Sequence, residues 1–422
     1  MLDAPSHDDR PFSLLSPTLL RRLLAAALLV LALGGGIYLL SQQEATTPAS
    51  AATTPGAAAA KGSGFFGIAP QTTLTEKDVK YMKAGGIEAI RWPMLWSGVA
   101  ETRQDFLKGE YNWTGFDPVV EQAALQGLPV LPFIVATPGW LAKKYTTLPI
   151  FNAKQRTAWT TFLRAAVERY GPGGVFWEEH SPAKIREEKE KEKVGPVYEL
   201  EGANLTPIPK PVPIRTWQVW NEANFFYFAY PVSPHNYARL LKLSTPAIKR
   251  ADPGAKVILT GLFGHPTASG AKGMPAAEFL EDLYKVKGIK SFFDGVALHP
   301  YAIDSEQLEE TVEEFHAVTV ANHDRVPLYI TEMGWGSQND FQIDAFEHGI
   351  QGQVEELKSA YTYLLANRTK LDLKQVYWFS WKDLPESCAF CDSVGLFKAG
   401  AGFKAKPAWR AFVGITHGKT HP

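Results

Sequence analysis

From about residue 64 onward the chain alternates short, almost wholly apolar runs with longer stretches whose apolar residues recur every three or four positions. The apolar runs predict strands at Phe65 to Ala69, Ile87 to Trp92, Pro129 to Val135, Ile214 to Trp220, Lys256 to Thr260, Gly295 to His299, Pro327 to Thr331 and Gln375 to Trp381. The amphipathic stretches predict helices at Asp117 to Gln126, Ala153 to Tyr170, Pro234 to Ala251, Ala276 to Val286, Glu306 to Asn322 and Gln351 to Arg368, with a last one near Pro407 to Phe412. Strands that alternate with helices imply parallel pairing, and eight repeats favour a closed (β/α)8 barrel of the TIM type over an open doubly wound sheet. The expected class is therefore α/β, with one barrel over residues 64–416.

Two segments break this rhythm. Leu23 to Leu40 is an uncharged apolar run of nearly bilayer-spanning length. Arg10, Arg21 and Arg22 precede it and the next basic residue is Lys61, so the positive-inside bias predicts a cytoplasmic tail over 1–22, a transmembrane helix or signal anchor over 23–40, and an exported remainder. A cleaved signal, with Ala49-Ser50-Ala51 as the small-x-small site, is the alternative and would release the protein. Residues 41–63 are mostly Ala, Thr, Ser, Pro and Gly and read as a flexible linker. GSGFFG at its end matches a dinucleotide fingerprint formally but follows a linker rather than a strand, which removes its meaning. The second break, about 177–213, carries the charge run KIREEKEKEK and then IPKPVPI. It is expected to be a surface insertion before the fourth strand, built on a solvated helix with i,i+4 Glu and Lys pairs.

Composition narrows the partners. With 43 Lys+Arg against 44 Asp+Glu, the net charge of -1 offers no field for nucleic acid. The bilayer contact is assigned to residues 23–40 alone. Two cysteines exclude a disulfide scaffold, and Cys388-x-x-Cys391 in an exported protein reads as one short bridge. The ten histidines form no His-x-His or His-Glu-x-x-His, so neither a metal nor any other cofactor is expected.

Barrels of this kind carry chemistry at the C-terminal ends of their strands. Strand four reads RTWQVWNEAN, which puts Asn221 and Glu222 just past its apolar body, and strand seven reads VPLYITEMGW, which puts Glu332 in the same relative place. One carboxyl that keeps its proton and one that is ionised are what cleavage of a glycosidic bond requires. Arg91, ending strand two, supplies a cation to hold one of them ionised. Strand six ends in ALHPYA, which places His299 and Tyr301 on one side of the chain within reach of the same mouth. Trp381 after strand eight, with Trp140 and Trp335 after strands three and seven, are candidate platforms for sugar rings, Trp381 foremost.

This ordered set resembles the clan A glycoside hydrolases, retaining barrel enzymes that include families 5 and 39. The Asn221-Glu222 pair matches that clan's acid/base position and Glu332 its nucleophile. Arg91, His299-Pro300-Tyr301 and Trp381 match further family 5 positions. The stretch FIVATPGW departs from family 5, which commonly has a His there, and looks more like family 39. The resemblance implies that Asn221 bonds the sugar 2-hydroxyl and that a covalent glycosyl-enzyme forms on Glu332. The expected function is a retaining β-glycosidase acting on an extracellular or cell-surface oligo- or polysaccharide. Alternatives are a transglycosylase that remodels wall polysaccharide and a membrane-tethered barrel that binds glycans without cleaving them. Substrate choice is expected to reside in loops such as Trp177 to Pro213 and Ala268 to Pro275.

Overall fold

A computed structural model describes residues 64–192, 205–339, 345–388 and 390–422. The eight apolar runs form eight strands: β1 (Phe66–Ile68), β2 (Ala89–Leu95), β3 (Val130–Val135), β4 (Thr216–Val219), β5 (Lys256–Phe263), β6 (Gly295–His299), β7 (Leu328–Met333) and β8 (Leu373–Trp378). Each pairs in parallel with its neighbour in sequence. β8 returns to β1, with Tyr377 opposite Gly67, and the sheet closes into a barrel.

One main helix follows every strand: α1 (Glu76–Ala84), α2 (Asp117–Leu125), α3 (Ala153–Tyr170), α4 (Pro234–Ala251), α5 (Ala276–Tyr284), α6 (Ser305–Ala321), α7 (Gly349–Ala366) and α8 (Pro407–Thr416). Four of their starts are marked by side-chain caps. Thr75 and Asp78 form a reciprocal capping box on α1, and Asn152, Ser233 and Asp304 cap α3, α4 and α6. α1 follows the β1 turn, a segment in which the apolar pattern predicted no helix.

Two apolar layers result. The larger lies between strands and helices and holds most of the tryptophans. The smaller fills the barrel interior with Ala89, Leu131, Ile258, Ala297, Tyr329 and Tyr377. Gly67 is required here by a close approach, because a Cβ at that position would lie 2.4 Å from the Tyr377 ring.

The insertion carries helices Val175–Glu179 and Pro182–Glu192. In the second, Lys184 pairs with Glu188 at 3.0 Å and Lys191 with Glu187 at 2.7 Å, the solvated i,i+4 pattern expected. Because it joins a helix to the start of β4, the described part of the insertion lies at the N-terminal end of the barrel. The described part of 177–213 therefore stands at the end opposite the candidate site, and residues 193–204 of it fall outside the described residues. The span predicted at 23–40 and the linker at 41–63 fall outside the described residues. Among those described, no helix is long and apolar enough to cross a membrane.

Candidate active site

Four strands converge on one set of polar side chains. Arg91 points inward from β2 and is fully buried. Its guanidinium donates three ways: Nε to Gln218 Oε1 on β4 at 2.7 Å, Nη2 to Asn221 Oδ1 at 2.7 Å, and Nη1 to Glu332 Oε1 on β7 at 2.5 Å. Phe133 of β3 closes the other side, its ring 3.9 Å below the guanidinium carbon. Gln218 is itself tied to Leu259 O at 3.0 Å, so the fork is held by the barrel wall. The second Glu332 oxygen accepts from Tyr301 Oη at 2.9 Å. Across the cavity His299 Nδ1 lies 2.8 Å from Glu222 Oε1. Arg91, Asn221, Glu222, His299, Tyr301 and Glu332 are thus brought together as expected.

The two carboxyls sit in different fields. Burial and the nearby Glu332 charge push the Glu222 carboxyl well above the ordinary glutamate range, with Arg91 opposing. Burial raises Glu332 too, but Arg91 and the Tyr301 hydroxyl pull it back. The first proton bound by the pair therefore belongs on Glu222. Burial, with Arg91 adding, keeps His299 neutral well below its usual range. Burial and both carboxylates push the Tyr301 phenol far upward, so it remains a donor.

The backbone that presents Glu222 is unusual. The chain leaves β4 with Trp220 at φ 73° and Glu222 at φ 38°, left-handed conformations that cost on the order of 1–3 kcal/mol each for residues with a Cβ. The compensation is visible: Glu222 N donates to Gly261 O at 3.2 Å. Asn224 clamps the turn to β5 by giving Nδ2 to Phe263 O and Met274 O and accepting from Phe263 N, at 2.7, 2.8 and 2.9 Å. Gly261 also makes room for the histidine, since a Cβ there would lie 2.0 Å from His299 Nε2.

The cavity above these groups encloses about 760 Å³ including its open mouth, and Asn221, Glu222, Tyr301 and Glu332 form its floor. Its walls overturn one expectation. Trp381 is fully buried in the layer behind the strands, with its indole N–H on Asp78 Oδ1 at 2.8 Å and its ring against Phe397 and Trp409. Strand β8 ends at Trp378, three residues before the predicted end, which turns Trp381 away and leaves Phe379 on the cavity. Trp140 and Trp335 are corrected likewise. Their N–H groups satisfy Ala100 O and Ala302 O, both at 2.9 Å, and their rings pack into the protein. Among the described residues no tryptophan lines the cavity; phenylalanines do, from Phe133, Phe225, Phe228, Phe263, Phe379 and Phe390. Cys388 and Cys391 are joined by a disulfide, and Phe390 between them reaches the wall.

Gln218 and the phenylalanine walls escaped prediction. Gln218 had one signal, a polar residue in the apolar run TWQV. The phenylalanines had none, being ordinary core residues in composition.

Ligating atoms of Glu222, His299 and Glu332 lie within 4.8 Å of one another, a spacing that could hold a metal ion. Arg91 already sits on Glu332 and would repel a second cation there, so the donor set suits a shared proton better than a metal.

No protein-family model and no curated protein matches the chain. Solved structures do. A family 39 glycoside hydrolase from the gut symbiont Bacteroides cellulosilyticus superposes with a TM-score of 0.54 at 18% identity, over 84% of this chain and 63% of that one. The GH39 enzyme from Xanthomonas axonopodis pv. citri gives 0.51 at 19% identity, over 84% and 67%. A GH5_18 enzyme from Bifidobacterium longum gives 0.52 at 13% identity, over 84% and 78%. The chain thus spans about two thirds of the length of the two family 39 enzymes. What it shares with all three is the eight-stranded parallel barrel, the fold of family 39 and family 5 glycoside hydrolases.

Proposed function

We propose that the protein is a glycoside hydrolase that cleaves β-glycosidic bonds with retention of configuration. The observation that carries this is the carboxyl pair: Glu222 after β4 and Glu332 on β7 line one cavity, one oxygen of each lies within 4.8 Å of the other, and their environments favour the proton on Glu222. Retaining enzymes hold their carboxyls about 5–5.5 Å apart and inverting ones roughly 6.5–9.5 Å to admit a water between, so this short oxygen-to-oxygen approach supports the retaining reading.

Glu332, held by Arg91 and Tyr301, attacks the anomeric carbon while Glu222 gives its proton to the departing oxygen. Water then enters, loses a proton to Glu222 and releases the sugar from Glu332. Asn221, fixed through its Oδ1 by Arg91, has its amide N–H groups for the sugar 2-hydroxyl. His299 keeps Glu222 oriented. The apolar run at 23–40, with its preceding arginines, supports a barrel tethered outside the cytoplasmic membrane, where glycans are met.

Glu332→Ala is expected to lower hydrolysis of an activated aryl β-glycoside by about a thousandfold or more, with partial rescue by azide that yields the inverted glycosyl azide. Undiminished hydrolysis in that variant, or a wild-type protein that binds glycans and releases no sugar from a broad β-glycoside panel, sinks the proposal. Product analysis at high acceptor concentration separates hydrolysis from transfer to a second sugar.

A further inference from the structure

Asn221, Glu222, Tyr301 and Glu332 form the cavity's floor, and beyond them the polar groups on its lining are the Gln71 side chain and the Tyr227 hydroxyl. A single pyranose on Asn221, Glu222, Tyr301 and Glu332 would use up the floor groups. Beyond it the wall is a chain of rings in contact. Tyr301 meets Phe263 at 5.8 Å between centroids, Phe263 stacks on Phe225 at 5.5 Å and 20°, and Phe225 meets Tyr227 at 4.8 Å. On the other side Tyr301 is flanked by Phe390 at 5.4 Å and Phe379 at 6.2 Å. At the end of this ring chain the Tyr227 hydroxyl is buried without a hydrogen-bond partner among the described residues. The wall is anchored rather than loose, since Phe225 bridges to Gly273 and Phe226 N donates to Lys272 O at 2.9 Å.

A second sugar in this space would bring several hydroxyls to a surface that offers them only Gln71 and the Tyr227 hydroxyl among the described lining residues, at a cost of about 1–3 kcal/mol for each group left unpaired. An alkyl or aryl group would bury apolar area at no such cost. We propose that the site takes glycosides of one sugar joined to an apolar alcohol, the sugar seated on the carboxyl pair and the apolar leaving group against the Phe225–Phe263 wall. This rests on the glycosidase proposal above. In the reaction the bond between the anomeric carbon and the alcohol oxygen breaks, and Glu222 protonates that oxygen. Water supplies oxygen to the anomeric carbon and a proton back to Glu222, so that sugar and alcohol are released.

The test uses the full-length protein and the sugar that the aryl panel selects, offered as methyl, butyl, hexyl, octyl and benzyl β-glycosides and as the β-linked disaccharide. The alkyl members share one leaving-group chemistry, so their differences report contact with the wall. kcat/KM is expected to rise about tenfold or more from methyl to hexyl, and the disaccharide to fall below hexyl. Phe225→Leu should shrink the hexyl-to-methyl ratio, a quantity that a general loss of fold would leave unmoved. The benzyl arm separates aromatic from aliphatic preference. A flat alkyl series, or a disaccharide cleaved better than the hexyl glycoside, overturns this proposal and leaves the glycosidase intact. If none is cleaved, the glycosidase proposal fails, and calorimetric binding of the hexyl glycoside against the disaccharide still decides whether the wall accepts an apolar group.

Discussion

Tyr301 gives its hydroxyl to Glu332 and keeps it, because its own ionisation lies far above neutral pH. That bond favours the charged form of Glu332 and so lowers its pKa relative to a site without it. In the proposed reaction Glu332 must be ionised to attack, so activity is expected to fall at low pH as Glu332 takes up its proton. Removing the hydroxyl makes protonation easier and moves this loss upward. Tyr301→Phe is therefore expected to shift the acid limb of kcat/KM up by about one pH unit, a shift worth about 1.4 kcal/mol, while leaving the alkaline limb to Glu222. An acid limb that stays in place would show that Arg91 alone sets the nucleophile. Single residues also mark what a sequence can reveal. Arg91, Glu222, His299, Tyr301 and Glu332 were legible because charge and polarity at the ends of apolar runs are costly unless used. The tryptophans were not, because an indole is equally at home in a core, where a single backbone carbonyl satisfies its N–H.

At the scale of elements, the turn after β4 bears the acid and is held by its neighbour rather than by itself. Asn224 spends three hydrogen bonds on β5 and its following loop, two residues from Glu222. Asn224→Ala would strand two carbonyls and an N–H in a buried place, and is expected to cost about 2–4 kcal/mol of stability in urea unfolding. It should also reduce kcat/KM by about tenfold or more as the acid loses its seat, measured at a temperature where the variant is fully folded. Stability lost with activity intact would assign Asn224 to the fold alone. Strand positions were legible because buried parallel strands read as continuous apolar runs. Strand ends were not, where the apolar run outlasts the pairing: YWFSW continues past Trp378, and the three-residue overshoot exchanged Phe379 for Trp381 at the cavity.

For the whole molecule, the barrel has two ends with separate duties. The C-terminal ends of the strands hold the carboxyl pair, and the opposite end carries the charged insertion. The tether proposed at 23–40 makes a physical statement about location. The full chain should sediment with membranes and resist release by salt, whereas a chain beginning at Lys61 should remain in the supernatant with the same hydrolytic rate. Release of the full chain without detergent would favour signal cleavage instead.

Arg91 and Glu332 are 241 positions apart, and their contact sits between strands two and seven of a ring that closes only when β8 meets β1. The proposed site is therefore incomplete in a newly made polypeptide until the barrel strands through β8 have been produced and folded. On the proposed reaction, turnover would be a signal of a closed barrel, and a copy that stops short of β8 would be inert.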